Sequence, residues 1–172
     1  MQPCARNESA RIRLLGLGNE ILADDAFGIL VAREVERLIP RQVEVVCSSA
    51  AGFNLMDDML GASRLIVVDT IVTGSARPGT IHVFRADQIP KAPGVAPHFL
   101  GLFEVLAVGR QLHLDLPEEI TVVAVEASDC ATIGGVMHPE VRSAVNTVVN
   151  LVRQFVAVRP QRSTGVSTNV SR

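Results

Sequence analysis

A glycine-rich turn that carries two adjacent carboxylates is the feature that most constrains the fold of this chain. The turn lies between Gly16 and Gly28 and holds Asp24 and Asp25. The apolar run before it, residues 11–17, has the length of a strand, and apolar side chains recur at helical spacing after it. The recurring side chains are Phe27, Val31, Val35 and Leu38. A strand that leads through an acidic loop into a helix is typical of α/β proteins, in which such loops hold binding sites.

The same alternation of strand and helix continues along the chain. Further strands are predicted at residues 43–47, 65–69 and 120–125, and helices at 53–60, from Pro97 onward and from Pro139 onward. Residues 80–85 form another β-rich run, and its connection from Asp69 is too short for a helical crossover, so this strand should run antiparallel. The sequence therefore predicts a three-layer α/β/α fold around a mostly parallel, twisted, five-stranded sheet.

The length and composition of the chain favour one domain. Of 172 residues, 48% are hydrophobic, which is enough for one core. No change of composition marks a second domain, so residues 1–158 are expected to form a single α/β domain. Residues 159–172 are polar and lack periodicity, and they are expected to form a disordered tail.

Charge and aromatic content exclude several classes of partner. A net charge of -2 with scattered basic residues provides no surface for a nucleic-acid backbone. Aromatic residues, which would stack on bases, make up only 3% of the chain. No apolar run is long enough to span a membrane, and the three cysteines form no CxxC pair or disulfide framework. We therefore expect a cytoplasmic protein that binds neither nucleic acid nor membranes.

Acidic side chains stand where the predicted strands end, which is the edge of the sheet at which α/β proteins bind ligands. Asp24 and Asp25 follow the first strand, Cys47 ends the second and Asp69 ends the third. If the first and third strands are neighbours, Asp69 and one of the two adjacent acids face the same crevice. Two carboxylates in one crevice repel each other unless a cation or a proton lies between them. This arrangement favours a metal site.

Structural roles compete with that interpretation. Asp69 is about equally compatible with capping a turn. One of the two adjacent acids, Asp24 or Asp25, is expected only to cap the helix that follows, and Glu20 is expected to be a solvated side chain. The residues alone leave open which of the two acids would bind a metal.

Among the four histidines, only His98 stands at a loop-to-helix junction, where it could complete a site of oxygen and nitrogen ligands. His82 is expected in the core or at an edge of the sheet, His113 at the polar end of a helix, and His138 at the cap of the last helix. Standard catalytic signatures are absent: the chain has no HExxH or GxSxG motif, and its only lysine is Lys91.

Four segments occur in the order found in a known family. They are Gly16-Leu17-Gly18-Asn19 with Asp24-Asp25 and Gly28; Val67-Val68-Asp69 followed by Arg77-Pro78-Gly79-Thr80; Pro97-His98-Phe99-Leu100-Gly101-Leu102; and Gly135-Val136-Met137-His138-Pro139-Glu140-Val141. On these segments, which span roughly residues 11–157, the chain resembles the nickel-iron hydrogenase maturation endopeptidases.

The resemblance implies both a function and a site. Members of that family recognise nickel in the precursor of the hydrogenase large subunit and remove its C-terminal extension. Their metal-binding residues map onto Asp25, Asp69 and His98, which are expected to act in catalysis on nickel supplied by the precursor, with no permanently bound cofactor. Gly18, Asn19 and Cys47 are expected to line the site, and Asp24 is then the acid expected to cap the helix. The resemblance thus implies a nickel-dependent, aspartate-type endopeptidase, and we expect a monomer.

The chain departs from the family pattern after the second strand. Family members commonly carry Asp-Gly-Gly-Thr-x-Gly there, whereas this chain reads Cys47-Ser48-Ser49-Ala50-Ala51-Gly52. Cys47 replaces an acid thought to assist cleavage, and it is either a soft additional ligand or, more often for a free cysteine, a small buried residue. Two alternatives stay open: a non-cleaving, nickel-dependent binding module for the same precursor, and a small-molecule-binding α/β domain with a divalent cation.

Overall fold

The computed structural model describes residues 11–85 and 97–158; in the helix that begins at Pro97 it describes the side chains of Leu102 and of residues 104 onward. The strands are β1 (Ile12–Leu17), β2 (Glu44–Ser48), β3 (Arg64–Ile71), β4 (Ile81–Arg85) and β5 (Glu119–Glu126). The helices are α1 (Phe27–Leu38), α2 (Leu55–Met59), α3 (Pro97–Gln111) and α4 (Pro139–Ala157). Short 3-10 turns at Asp24–Ala26 and Gly52–Asn54 precede α1 and α2.

The five strands form one sheet in the order β2-β1-β3-β5-β4. Strands β2, β1, β3 and β5 pair in parallel, and β4 pairs antiparallel with β5. The predicted fold, including the antiparallel strand near residues 80–85, is confirmed. Because β1 lies between β2 and β3, the carboxyl ends of these strands meet at one edge, where Gly16 is in register with Cys47 on one side and Val68 on the other.

Helices cover both faces of the sheet and create two cores. Alternate residues of β3 contribute to them: Ile66 and Val68 pack with α1 and α4, whereas Leu65 and Val67 pack with α2 and α3. Every residue of β3 is buried, as expected of a central parallel strand that is covered on both faces. The edge at which the carboxyl ends of β2, β1 and β3 meet therefore includes a strand that is buried along its whole length.

A glycine lets the start of α1 approach the sheet closely. A Cβ atom at Gly28 would lie 2.2 Å from the carbonyl oxygen of Leu17 and 2.4 Å from that of Val68, so a side chain there would force the helix away. This close approach holds the 3-10 turn that carries Asp24 and Asp25 over the ends of β1 and β3.

Two elements, β3 and α2, differ from the sequence prediction by two residues at one end, and the other boundaries of the predicted strands agree to within one residue. The apolar run ends at Asp69, but β5 pairs with β3 as far as Ile71, so Asp69 lies inside the strand and not at its end. Helix α2 is shorter than the predicted 53–60, because the residues before it form a 3-10 turn.

The predicted disordered tail, residues 159–172, lies outside the described residues, and the extent of the domain over residues 1–158 stays a prediction. Within the described ranges, no helix has both the length and the apolar character required to cross a membrane.

Candidate active site

The turn after β1 presents Asp25 at the carboxyl-end edge of the sheet. Gly18 has a φ of 138°, a conformation that favours glycine, and a Cβ atom there would lie 1.8 Å from the carbonyl oxygen of Asp25. That oxygen accepts a hydrogen bond from the backbone N–H of Asn19 at 3.2 Å. The side-chain oxygen of Asn19 accepts one from the N–H of Ile21. Gly18 and Asn19 therefore shape the turn, and their expected role in lining the site stays a prediction.

Asp24 has a structural role, but not the predicted one. Its buried carboxylate accepts hydrogen bonds from the backbone N–H groups of Ser128 (2.8 Å), Asp129 (2.9 Å) and His138 (2.6 Å). The N-cap of the 3-10 turn is Ala23, and no side chain caps that turn or α1. The prediction that Asp24 caps the following helix is therefore wrong, because its carboxylate ties the loop between β5 and α4 to the turn after β1.

Two buried carboxylates, Asp25 and Asp69, lie beside Thr70; we refer to them as the carboxylate pair. Asp25 is 7% exposed and Asp69 is fully buried. The hydroxyl of Thr70 donates to Oδ1 of Asp25 at 3.3 Å, and the backbone N–H of Thr70 donates to Oδ1 of Asp69 at 2.7 Å. The other oxygen of Asp69, Oδ2, is buried and has no hydrogen-bond partner within the part of the chain that the structure describes.

The environment of Asp69 disfavours negative charge on its carboxylate. Burial raises the pKa of Asp69 well above its usual value; the N–H of Thr70 opposes this shift, and the charge of Asp25 adds to it. A buried carboxylate oxygen without a partner is unfavourable unless a proton or a cation lies against it. The carboxylate pair is therefore arranged to accept a proton or a positive ion.

The backbone of His98 lies in the first turn of α3, which confirms the predicted start of this helix. Helix α3 packs against the 3-10 turn Gly52–Asn54, which follows β2 at the edge where the parallel strands end. The imidazole of His98 lies outside the described residues. Among the side chains that are described, no three His, Cys, Asp or Glu residues form a group that could hold a metal ion. A site with all three ligands therefore stays a prediction.

Cys47 is exposed, so the expectation that it is a small buried residue is wrong. It lies in β2, an edge strand of the sheet, which leaves one side of the strand open to solvent. Partial shielding from water raises the pKa of the thiol, and the nearby charge of Arg33 opposes that shift. The acidic neighbours that influence the thiol are Glu36 of α1 and Glu20 of the turn, and neither belongs to the carboxylate pair.

The guanidinium of Arg33 connects Cys47 with Glu20. Its charge partly offsets the rise that burial causes in the pKa of the nearby thiol, and it forms an ion pair with the Glu20 carboxylate, in which Nη2 and Oε2 are 2.9 Å apart. Glu20 is exposed, as predicted, but it is paired and not only solvated. Cys47 thus belongs to an exposed polar cluster, and nothing in its described surroundings supports a role as an additional ligand.

The other histidines lie where the sequence places them. The Nδ1 atom of His138 accepts a hydrogen bond from the N–H of Glu140 at 3.3 Å, which confirms that His138 caps α4. His82 lies in the edge strand β4, and His113 is exposed just beyond the end of α3. None of these three is a neighbour of the carboxylate pair in any described hydrogen bond.

Sequence patterns single out neither Thr70 nor Cys130, although both contact the site. The sulfur of Cys130 lies 3.5 Å from the hydroxyl oxygen of Thr70. Burial raises the pKa of Cys130 to about 11, and the charges of Asp25, Asp24 and Asp69 add to the shift, so the thiol keeps its proton at neutral pH. Thr70 could have been found from its position directly after Asp69 in a buried strand. Cys130 shows no local signal, because its loop reaches the site only through tertiary contacts.

Comparisons with known proteins agree on one family. A family model described as hydrogenase maturation protease matches residues 11–154. The hydrogenase 2 maturation protease of Escherichia coli strain K12 is 34% identical over 119 residues, which cover 67% of this chain and 72% of that protein. The hydrogenase expression/formation protein HupD of Bradyrhizobium diazoefficiens is 29% identical over 156 residues, which cover 88% of this chain and 80% of that protein.

Solved structures extend this similarity to the fold. The hydrogenase maturating endopeptidase HybD from Escherichia coli superposes with a TM-score of 0.74 at 30% sequence identity, covering 85% of this chain and 91% of that one. A hydrogenase maturation protease HybD from Thermococcus kodakarensis superposes with a TM-score of 0.67 at 24% identity, covering 85% and 99%. The second likeness is one of fold.

Proposed function

The chain belongs to the hydrogenase maturation protease family, and from this premise we propose that it is an endopeptidase that removes the C-terminal extension of a nickel-iron hydrogenase large-subunit precursor. Cleavage depends on nickel that the precursor already holds, so the metal arrives as part of the substrate and the protease has no resident cofactor. The protease acts in the cytoplasm, as a monomer.

The observation that carries this proposal is the buried Oδ2 atom of Asp69, which has no hydrogen-bond partner among the described residues. A fully buried carboxylate of this kind, beside a second carboxylate at the ligand-binding edge of an α/β sheet, has the properties of a cation ligand. Its raised pKa has the same origin, because burial and the charge of Asp25 both disfavour the ionised form until positive charge arrives.

In this proposal, Asp25, Asp69 and His98 become additional ligands of the nickel that the precursor presents. Carboxylate oxygens and a neutral imidazole are suitable donors for nickel. The contact fixes the precursor so that its scissile peptide bond lies beside the metal, which polarises the peptide carbonyl or a water molecule. A precursor without nickel gives these side chains no charge to bind, so it is not positioned for cleavage.

The exposed thiol of Cys47 favours a second candidate function. It stands where the family commonly has an acid, and the charges that influence it are those of Arg33, Glu36 and Glu20 and not those of the carboxylate pair. If cleavage requires that acid, the protein binds nickel-loaded precursor without cutting it and acts as a checking module. The two functions share the nickel contact and differ only in the cleavage step.

A cleavage assay on purified precursor tests the proposal. Wild-type protein, D69N and D57N are each mixed with nickel-loaded and with nickel-free precursor, and the products are identified by mass spectrometry. D57N is the matched control, because Asp57 is an exposed carboxylate of α2. We expect wild-type protein and D57N to shorten only the nickel-loaded precursor, and D69N to shorten neither.

The other results separate the alternatives. Binding of nickel-loaded precursor without cleavage supports the checking module. Equal cleavage of nickel-free precursor, or normal processing by D69N, contradicts the role given to the metal and to Asp69.

A further inference from the structure

Thr70 hydrogen-bonds both members of the carboxylate pair. Its hydroxyl donates to Oδ1 of Asp25 at 3.3 Å, and its backbone N–H donates to Oδ1 of Asp69 at 2.7 Å. Thr70 is only 2% exposed and lies in the central strand β3. Water therefore has little access to replace the hydroxyl if the side chain is changed.

The position of Thr70 in β3 explains how one residue reaches two acids. Successive side chains of a strand point to opposite faces of the sheet. Asp69 follows Val67 towards α2 and α3, whereas Thr70 follows Val68 towards α1, which the turn carrying Asp25 precedes. The side chain of Thr70 thus bonds Asp25 on its own face of the sheet, and its backbone N–H bonds Asp69, which points to the other face.

A second contact fixes the direction of the Thr70 hydroxyl. The hydroxyl has one proton, and a carboxylate oxygen can only accept, so that proton is used in the bond to Asp25. The sulfur of Cys130, 3.5 Å from the hydroxyl oxygen, must then be the donor of the remaining contact. The chain of donors runs from the Cys130 thiol through Thr70 to Asp25.

We propose that Thr70 is a positioning residue for nickel recognition: its hydroxyl, oriented by the Cys130 thiol, holds the Asp25 carboxylate in the place from which Asp25 and Asp69 contact the same ion. This inference rests on the proposed function for the identity of the ion. Residues that orient metal ligands through hydrogen bonds typically change metal affinity or activity by about tenfold or more when they are removed.

The test compares T70V with T70S. Valine has nearly the shape of threonine and keeps the backbone N–H but lacks the hydroxyl, whereas serine keeps the hydroxyl and loses the methyl group. Three measurements are made on each variant and on wild-type protein: kcat and KM on nickel-loaded precursor, the affinity for Ni²⁺ alone by isothermal titration calorimetry, and the crystal structure around Asp25. Thermal melting checks that each variant is folded.

We expect T70V to weaken Ni²⁺ binding and to lower kcat/KM on nickel-loaded precursor by about tenfold, because the nickel that the site binds is the one that the precursor carries. The Asp25 carboxylate should be displaced in T70V and unmoved in T70S, and T70S should stay within about threefold of wild type in both rate and affinity.

Two results would overturn the inference: T70V with wild-type behaviour and an unmoved Asp25 carboxylate, or T70S as impaired as T70V, which would assign the effect to packing of the methyl group. Failure of the proposed function has a different signature, because wild-type protein would then cleave nickel-free precursor or D69N would stay active. The crystal structures decide the role of Thr70 in either case.

Discussion

Replacing Asp69 by asparagine should stabilise the folded protein while it abolishes processing. Asparagine keeps an oxygen for the N–H of Thr70, which now bonds Oδ1 at 2.7 Å, and removes the negative charge from a fully buried position. The Oδ2 atom that the substitution replaces has no hydrogen-bond partner among the described residues, so no observed contact is lost. The free energy of unfolding should therefore rise.

The size of the effect follows from the linkage between proton binding and folding. The pKa of Asp69 is raised in the folded protein, whereas an aspartate in an unfolded chain has a pKa of about 3.9. The folded protein therefore binds the proton of Asp69 more tightly than the unfolded chain does. The contribution of this proton to the free energy of unfolding is fully present below about pH 3.9 and is lost as the pH rises through the pKa of Asp69 in the folded protein. At pH 7, which lies about three units above the pKa of the unfolded aspartate, the cost of burying an ionised Asp69 cannot exceed about 4 kcal/mol, because one pKa unit corresponds to about 1.36 kcal/mol. Because the new amide also needs a partner, we expect D69N to gain about 1–3 kcal/mol at pH 7.

Urea unfolding at a series of pH values measures this effect. The difference between D69N and wild type should be small near about pH 4 and should grow as the pH rises. The melting temperature should increase by roughly 2–4 °C for each kcal/mol. D57N, at an exposed position, should stay within about 0.5 kcal/mol of wild type at every pH.

A less stable D69N, or a difference that does not change with pH, would contradict this prediction. A difference independent of pH would mean that a positive partner already neutralises Asp69 in the free protein, so that Oδ2 is not open to an incoming ion. A less stable D69N would mean that the new amide costs more than the buried charge. Loss of processing in a variant that is more stable than wild type, by contrast, could not be explained by unfolding.

Three further substitutions test other parts of the site. D24A removes the acceptor of three backbone N–H groups and should cost about 2–4 kcal/mol in urea unfolding; a loss below about 1 kcal/mol would show that water replaces the carboxylate. G18A places a Cβ atom 1.8 Å from the carbonyl oxygen of Asp25 and should cost more than about 3 kcal/mol, whereas G52A, at positive φ in open space, should cost only about 1–2 kcal/mol; equal losses would contradict the close approach. C47D restores the family's acid at an exposed position and should raise the cleavage rate by about tenfold or more with less than about 1 kcal/mol change in stability; an unchanged rate would show that this acid is not needed.

The positions of the strands along the chain and their directions follow from local sequence patterns. The runs at β1, β3 and β5 have the length and apolarity of buried strands, and the short connection between β3 and β4 leaves no room for a crossover helix, so the antiparallel direction of β4 is determined by chain length alone. The end of β3 is not determined locally. It is extended by pairing with β5 as far as Ile71, and a strand's partner cannot be read from its own residues.

The roles of individual site residues were harder to predict, because they depend on contacts distant in sequence. The N-cap rule assigns Asp24 to the next helix, but its three donors come from residues 104 to 114 positions further along the chain. The burial expected of Cys47 reflects the average behaviour of free cysteine, whereas β2 is an edge strand with an open side. A general tendency of a residue type cannot distinguish an edge strand from a central one.

The two adjacent acids of the turn show how structure separates a scaffold residue from a site residue. Asp24 and Asp25 are both buried, but Asp24 receives three backbone N–H bonds, whereas the described partner of the Asp25 carboxylate is a single hydroxyl at 3.3 Å. By anchoring Asp129, Asp24 also holds the adjacent Cys130 against Thr70, whose hydroxyl bonds Asp25. The well-bonded carboxylate therefore stabilises the surroundings of the poorly bonded one. The proposed function requires this division, because a carboxylate whose oxygens already accept several hydrogen bonds has less capacity to bind a metal that the substrate brings.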